Sequence, residues 1–149
     1  MPGTGKPEIL GAKILVVEDD YQLLALLRRA LEREGYDVIA AISGAEMMSL
    51  LATARPDLVV LDIHLPDQDG RDLLAELKKN PKTCHIPVVV WSGGDADSDR
   101  RIALDLGAED YVQKGPPSTL VPKIERILLR VSERQLVKAP SAGADKKLA

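Results

Sequence analysis

The sequence has almost no cysteine, no long apolar run and no large excess of charge of one sign, and each absence excludes a class of protein. Cys84 is the single cysteine, so the chain cannot form an internal disulfide or a structural zinc site, and a reducing, cytoplasmic setting is expected. No stretch reaches the roughly 18 consecutive apolar residues of a spanning helix, and the N-terminus lacks a signal-peptide apolar region, so we expect no membrane insertion. Lys and Arg total 20 against 23 Asp and Glu, which argues against direct nucleic-acid binding through a basic field.

The length of 149 residues suits one globular domain with an ordinary core. From about Lys13 onward, short and almost continuously apolar runs alternate five times with longer stretches of helical period. This alternation is typical of βα units around a parallel sheet, so the sequence predicts an α/β fold. The predicted strands occupy residues 14–17, 37–41, 58–62, 87–91 and 111–113.

Polar residues follow four of these apolar runs at the point where each strand ends. Glu18 and Asp19 follow the first run, Asp62 ends the third, Ser92 follows the fourth, and Lys114 follows the fifth. Ligands of open parallel sheets collect outside the carboxyl ends of the strands, so we expect these side chains to meet. Three crowded carboxylates repel one another unless a cation lies among them, and hard oxygen ligands favour Mg²⁺.

Each residue also has a plainer structural interpretation. Acidic residues after a strand are often helix caps, and this is the favoured interpretation of Asp20. Glu18, Asp19 and Asp62 alone fit a structural and a functional interpretation equally, whereas Ser92 alone would be a turn residue and Lys114 alone a solvated lysine. Their conjunction favours one site, and phosphoryl transfer to a carboxylate is the chemistry that would use all of them. Lys114 and Mg²⁺ would neutralise the incoming charge, and Ser92 would hydrogen-bond a phosphoryl oxygen.

Four segments occur in order and together resemble the receiver domain of bacterial two-component response regulators: ILVVEDD, LVVLDIHLPDQDG, VVVWSG and DYVQK. The resemblance covers about residues 13–131. It implies a flavodoxin-like (CheY-like), doubly wound, five-stranded parallel sheet with strand order 2-1-3-4-5 and five helices. We predict a flexible segment at 1–11, a receiver domain at 12–131, and an extension of the fifth helix to about Val137 with a flexible tail at 132–149.

The resemblance also implies roles for individual residues. Asp62 matches the phosphoacceptor, Lys114 the lysine that pairs with the phosphoryl group, and Ser92 the switch hydroxyl. Tyr111 matches the switch aromatic, although an aromatic residue at this position could equally close the core beside a short edge strand. The histidine that follows Asp62 by two residues, His64, borders the site and could modulate hydrolysis of the phosphoryl group.

A magnesium site is implied by the same resemblance. Two carboxylates, Asp19 and Asp62, match direct ligands, and the backbone carbonyl of His64 matches a third. Glu18 matches the second acidic position, which acts on the metal mainly through water. The implied cofactor is therefore Mg²⁺ or a similar divalent cation.

The function implied is a cytoplasmic, phosphorylation-dependent signalling switch. It would accept a phosphoryl group from a sensor histidine kinase or a histidine phosphotransfer protein, and catalyse only its own phosphorylation and dephosphorylation. A downstream protein would bind the face formed by the fourth helix, fifth strand and fifth helix, which could also form a homodimer. The residues after Val131 are too few for an output domain, so the chain would act alone or as the receiver piece of a hybrid histidine kinase, whose kinase activity would come from the larger parent chain.

The main alternative is a receiver-like binding module that is not phosphorylated. One departure favours it weakly: Gly115 follows Lys114 where the family usually has proline, often in a cis bond. We expect a trans peptide here, because a non-proline cis bond costs about 2.5 to 4 kcal/mol, and a less constrained Lys114. A phosphatase for small substrates would need a substrate cap and a second acid, and a flavin-binding protein would need glycines and hydroxyls after the first strand; neither pattern is present.

Overall fold

A computed structural model describes residues 9–94 and 96–148, with side chains described as far as 135 and not at 96. Residues 1–8 of the predicted flexible segment therefore lie outside the described residues. The strands are β1 (Lys13–Val17), β2 (Asp37–Ala41), β3 (Leu58–Leu61), β4 (Val88–Ser92) and β5 (Asp110–Gln113). The helices are α1 (Tyr21–Arg33), α2 (Gly44–Ala54), α3 (Gly70–Lys79), α4 (Ala96–Asp105) and α5 (Val121–Leu148), and a 3₁₀ turn (Pro117–Thr119) precedes α5.

The five strands form one parallel sheet in the order β2-β1-β3-β4-β5. This confirms the predicted flavodoxin-like, doubly wound architecture. Both faces of the sheet are covered: all four residues of β3 and all five of β4 are buried. Continuous apolar runs form such strands because neither face of a central parallel strand meets water.

Two apolar layers flank the sheet, and alternate strand residues enter one layer or the other. The first layer lies between the sheet and helices α1 and α5, and includes Ile14, Val16, Leu27, Trp91 and Ile124. The second lies between the sheet and helices α2, α3 and α4, and includes Leu15, Val17, Met47, Leu74 and Ala103. Together they cover both faces of the sheet, so the side chains of the carboxyl edge extend from strands that are packed on both sides.

The ends of the helices follow the expected chemistry. Asp20 caps α1, its Oδ1 accepting hydrogen bonds from the amides of Gln22 and Leu23 at 2.9 and 3.3 Å, which confirms its interpretation as a cap. The left-handed φ of +109° at Gly107 follows the end of α4. Helix α5 continues to Leu148, beyond the expected Val137, although this segment contains Pro140 and Gly143, the two residue types least favourable inside a helix. Among the described residues, no helix is long and apolar enough to cross a membrane.

Candidate functional site

Three buried polar side chains meet at the carboxyl edge of the sheet. Glu18 directly follows β1, Asp62 directly follows β3, and Ser92 ends β4. Their relative exposures are 0%, 3% and 0%, and they are the buried polar residues in the part of the chain that the structure describes. Burying carboxylates is costly unless a partner compensates their charge, so the site requires a cation.

Lys114 supplies a cation. Its Nζ lies 2.7 Å from Oε1 of Glu18 and 2.8 Å from Oδ2 of Asp62, so one ammonium bridges two carboxylates. Lys114 directly follows β5, and its amide donates to the carbonyl of Ser92 at 2.8 Å. The side chain is 20% exposed, so it is partly accessible to solvent.

The pKa values reflect this arrangement. Burial raises the pKa of the Glu18 carboxyl above its usual 4.5, against the opposing hydrogen bonds from Lys114 and the amide of Asp20. Burial alone would lower the pKa of Lys114, but its hydrogen bonds to Asp62 and Glu18 outweigh burial and raise that pKa above 10.5. Lys114 is therefore a cation throughout the physiological pH range.

The two oxygens of Asp62 have different partners. Oδ2 pairs with Lys114, whereas Oδ1 accepts from the amide of His64 at 2.9 Å and, in a longer contact, from the Ser92 hydroxyl at 3.4 Å. The carboxylate is thus oriented by groups from two loops and one strand end. Such orientation is what an attacking carboxylate requires.

Asp19 completes an acidic cluster at the mouth of the site. It is exposed, and one oxygen each from Glu18, Asp19 and Asp62 lie within 4.8 Å of one another. Three carboxylates at this spacing fit a hard divalent cation with several water ligands, as Mg²⁺ prefers. Glu18 and Asp62 would still share Lys114, so the donor set is compatible with an added cation. The participation of the His64 carbonyl stays a prediction.

Tyr111 lies on β5 with its side chain directed into the core. It is 3% exposed and packs in the apolar layer shared with α2, α3 and α4. Its backbone pairs with Val90, two residues before Ser92 on the adjacent strand. A guanidinium nitrogen of Arg100 on α4 lies 3.5 Å from the Tyr111 carbonyl, so α4 contacts the strand that carries this aromatic residue.

Comparison with known proteins decides the family. A model of the "Response regulator receiver domain" matches residues 14–125. The chain belongs to this receiver domain family. It is 37% identical over 133 residues to the alkaline phosphatase synthesis transcriptional regulatory protein PhoP of Bacillus subtilis, covering 89% of this chain and 53% of that protein. This receiver domain therefore spans about half the length of that curated relative.

Solved receiver structures have the same fold. A CheY-like response regulator receiver domain protein from Methanospirillum hungatei is 28% identical, with a TM-score of 0.76 over 83% of this chain and 98% of that one. The phosphorylated cyanobacterial phytochrome response regulator RcpA is 35% identical, with a TM-score of 0.67 over 86% of this chain and 96% of that one.

The structure of this receiver domain also shows contacts that the sequence did not predict. Nε2 of the exposed His64 lies 3.6 Å from Oδ2 of Asp99 on α4, so the loop after β3 touches α4 across Gly94. A Cβ at Gly70 would overlap the Ile63 backbone and lie 2.7 Å from the carbonyl oxygen of Asp62. The turn-forming residues of the LPDQDG segment indicated a tight loop. They did not indicate that the backbone at Gly70 packs against the backbone of Asp62 and Ile63.

The departure at Gly115 has a definite geometry. No cis peptide occurs among the described residues, so the bond after Lys114 is trans as predicted. The nearest atom to a Cβ at Gly115 would be the carbonyl oxygen of Gln113 at 4.0 Å, which is ordinary contact. Apart from its chain neighbours, no other atom of the described residues lies within 4 Å of that Cβ position, so residue 115 does not constrain the receiver's Lys114 from that side.

Proposed function

We propose that this receiver domain is a phosphorylation-dependent switch with Asp62 as the phosphoacceptor. The observation that carries the proposal is the buried Asp62 carboxylate, held by Lys114 at 2.8 Å on one oxygen and by the His64 amide at 2.9 Å on the other. A carboxylate buried in this way, beside a cation at a sheet edge, is arranged for nucleophilic attack on phosphorus.

In the proposed reaction, an oxygen of Asp62 attacks the phosphorus atom of a phosphohistidine on a sensor kinase or a histidine phosphotransfer protein. The new P–O bond forms as the P–N bond breaks, and the imidazole nitrogen leaves with the bonding electron pair and then takes a proton. Lys114 stabilises the charge on the phosphoryl oxygens, and the Ser92 hydroxyl donates to one of them. Attack of water on the acyl phosphate later restores the carboxylate and releases inorganic phosphate, and His64 at the mouth would modulate that step.

The acidic cluster would hold Mg²⁺. Asp19 and Asp62 would be direct carboxylate ligands, with the His64 carbonyl as a third and Glu18 acting through water. When bound, the cation supplies charge neutralisation for the phosphoryl group. Removing the cation with a chelator is therefore expected to stop phosphorylation.

Ser92 and Tyr111 would form the switch pair. In this proposal, the phosphoryl group draws the Ser92 hydroxyl and stabilises the inward rotamer in which Tyr111 already lies, so an outward rotamer is depopulated and the average face made by α4, β5 and α5 changes. That would be a shift between existing conformations. A downstream protein or a second copy of the chain would read this face. A sensor kinase or a phosphotransfer protein as phosphodonor, together with a single cysteine, favours a cytoplasmic location. The switch would act alone or as part of a hybrid histidine kinase.

The test is intact-mass measurement after incubation with Mg²⁺ and acetyl phosphate. The wild-type chain is expected to gain one phosphoryl group, and Asp62→Asn or an excess of chelator is expected to abolish the gain. Asp19→Ala should raise the Mg²⁺ concentration needed for half-maximal labelling by about 10-fold or more, since even indirect metal contacts contribute that much.

Labelling of Asp62→Asn at normal stoichiometry would contradict the assignment of the phosphoacceptor. Absence of labelling in the wild type would leave rapid hydrolysis or the unphosphorylated binding module, and beryllofluoride separates them. A stable beryllofluoride complex would support the switch, whereas no complex would support the binding module.

A further inference from the structure

The indole ring of Trp91 lies directly beneath the lysine of the site. Trp91 immediately precedes Ser92 on β4, is 1% exposed, and belongs to the apolar layer shared with α1 and α5. Nζ of Lys114 lies over the ring, 5.8 Å from its centroid. This distance is within the range in which a cation is attracted to the negative face of an aromatic ring.

Tryptophan is a costly choice at this position if it serves only to fill the core. Its indole Nε1 is buried and has no hydrogen-bond partner within the part of the chain that the structure describes. Buried tryptophans usually find a partner for this group, and leaving it unpaired is unfavourable. The three residues before it on β4 are all valines, which fill the same sheet without such a cost. The ring face toward Lys114 is the contact that a valine or leucine could not make.

Lys114 also needs support that its own loop does not provide. Gly115 adds no side chain and no proline ring behind it, and a Cβ at Gly93 would meet only the Lys114 Cδ, at 3.9 Å. The backbone of Lys114 is fixed by its bond to the Ser92 carbonyl, but four rotatable bonds separate that backbone from the ammonium. Glu18 and Asp62 attract the ammonium from one side. The face of the Trp91 ring contacts it from another side.

We propose that Trp91 is a positioning residue for Lys114, whose ammonium it holds between Glu18 and Asp62 through the face of its indole ring. This inference rests on the proposed function of Lys114 in phosphoryl transfer. Trp91 is not among the residues proposed to bind the phosphoryl group or the cation. In this chain it takes over part of the constraint that a proline after the lysine would supply.

The first test compares Trp91→Leu with Trp91→Phe, which keeps an aromatic face. At saturating Mg²⁺, Trp91→Leu is expected to lower the maximal rate of labelling by acetyl phosphate by about 3- to 30-fold, the range of a partly desolvated cation–π contact. Trp91→Phe should retain most of the rate, and the Mg²⁺ concentration for half-maximal labelling should be unchanged in both. Leu31→Ala, a cavity in the same apolar layer at the far end of α1, controls for lost stability and should keep the wild-type rate.

The second test leaves Trp91 in place and uses its fluorescence, which is unambiguous because it is the single tryptophan. Lys114→Met should shift the emission of Trp91, Lys114→Arg should largely restore it, and Lys78→Met at the opposite edge of the sheet should leave it unchanged. Equal labelling rates for Trp91→Leu and Trp91→Phe, or an emission unaffected by Lys114→Met, would overturn the proposal. If the wild type is not labelled at all, the proposed function fails, and the fluorescence series still decides whether the ring holds the lysine.

Discussion

The two edges of the sheet use the same kinds of charged residue in opposite ways. At the amino edge, Lys78 donates to the backbone carbonyls of Cys84 and Ile86 at 3.2 and 2.7 Å, and the Asp57 carboxylate accepts from the amide of Lys13 at 2.7 Å. Charges there fasten loops to strands. At the carboxyl edge, the buried carboxylates of Glu18 and Asp62 also pair with the charged side chain of Lys114.

The pKa values of the two lysines express this difference. Burial lowers the pKa of Lys78 and outweighs the attraction of Glu109, whereas the carboxylates around Lys114 reverse the effect of burial and raise its pKa. The ammonium of Lys78 is held by backbone carbonyls, whereas the ammonium of Lys114 is held by two carboxylates. This difference in partners accounts for the opposite directions of the two pKa shifts and is consistent with the role proposed for Lys114.

Replacing one lysine at each edge with methionine should give the largest difference in labelling rate. Lys114→Met removes the cation beside Asp62, and we expect labelling by acetyl phosphate to slow by about 100-fold or more, the effect of deleting one preorganised charge-stabilising donor. Lys78→Met is the matched control and should label at the wild-type rate. Initial rates from intact mass, with folding checked by circular dichroism, would measure both. Similar rates for the two variants would remove the functional distinction between the edges.

Two glycines provide a test of backbone packing. Gly70→Ala would place a methyl group against the Ile63 backbone and the Asp62 carbonyl, so we expect a loss of about 1 to 3 kcal/mol in unfolding free energy and slower labelling, because the loop after Asp62 must move. Gly11→Ala at the amino edge has open space but a φ of +80°, and should cost about 1 to 2 kcal/mol without changing the labelling rate. Denaturant unfolding and labelling measured on both variants would check this, and a normal labelling rate for Gly70→Ala would count against it.

The smallest expected effect is a pH dependence at Glu18. Because its pKa is raised in the folded chain, the folded chain holds this proton more tightly than the unfolded chain does. The stability that Glu18 contributes is full below the usual pKa of 4.5 and is lost as the pH rises through the folded-state pKa. Glu18→Gln has no such titration, so its melting temperature relative to wild type, measured in chelator, should increase from about pH 4.5 to 7. A constant or decreasing difference would contradict the direction of the shift.

Much of the fold was predictable because burial has a direct sequence signature. The valines of β3 and β4 form continuous apolar runs since both faces of those strands are covered. The polar residues that end the runs fall at one edge because the strands are parallel. The segments around Asp62 and Lys114 were specific enough together to indicate the family. The family's strand order then followed, and it agrees with the structure.

Other features were not predictable because they are lateral contacts between elements far apart in the chain. Alternation along β4 places Trp91 in the core, but does not reveal that its ring faces Lys114. Likewise, His64 lies in the loop after β3 and Asp99 lies on α4. Only the fold brings Nε2 of His64 to 3.6 Å from Oδ2 of Asp99. The sequence also did not indicate that α5 extends past Val137 to Leu148, because Pro140 and Gly143 in that segment disfavour a helix.

The loop after β3 also reaches the start of α2. The carboxylate of Asp67 accepts from the amides of Gly44 and Ala45 at 2.9 and 3.1 Å, and these hydrogen bonds keep the pKa of Asp67 low. Hydrogen exchange at those two amides therefore reports on a loop more than 20 residues further along the chain. The exchange rates of these two amides would therefore follow the opening of the loop, with no substitution of a charged residue near Asp62.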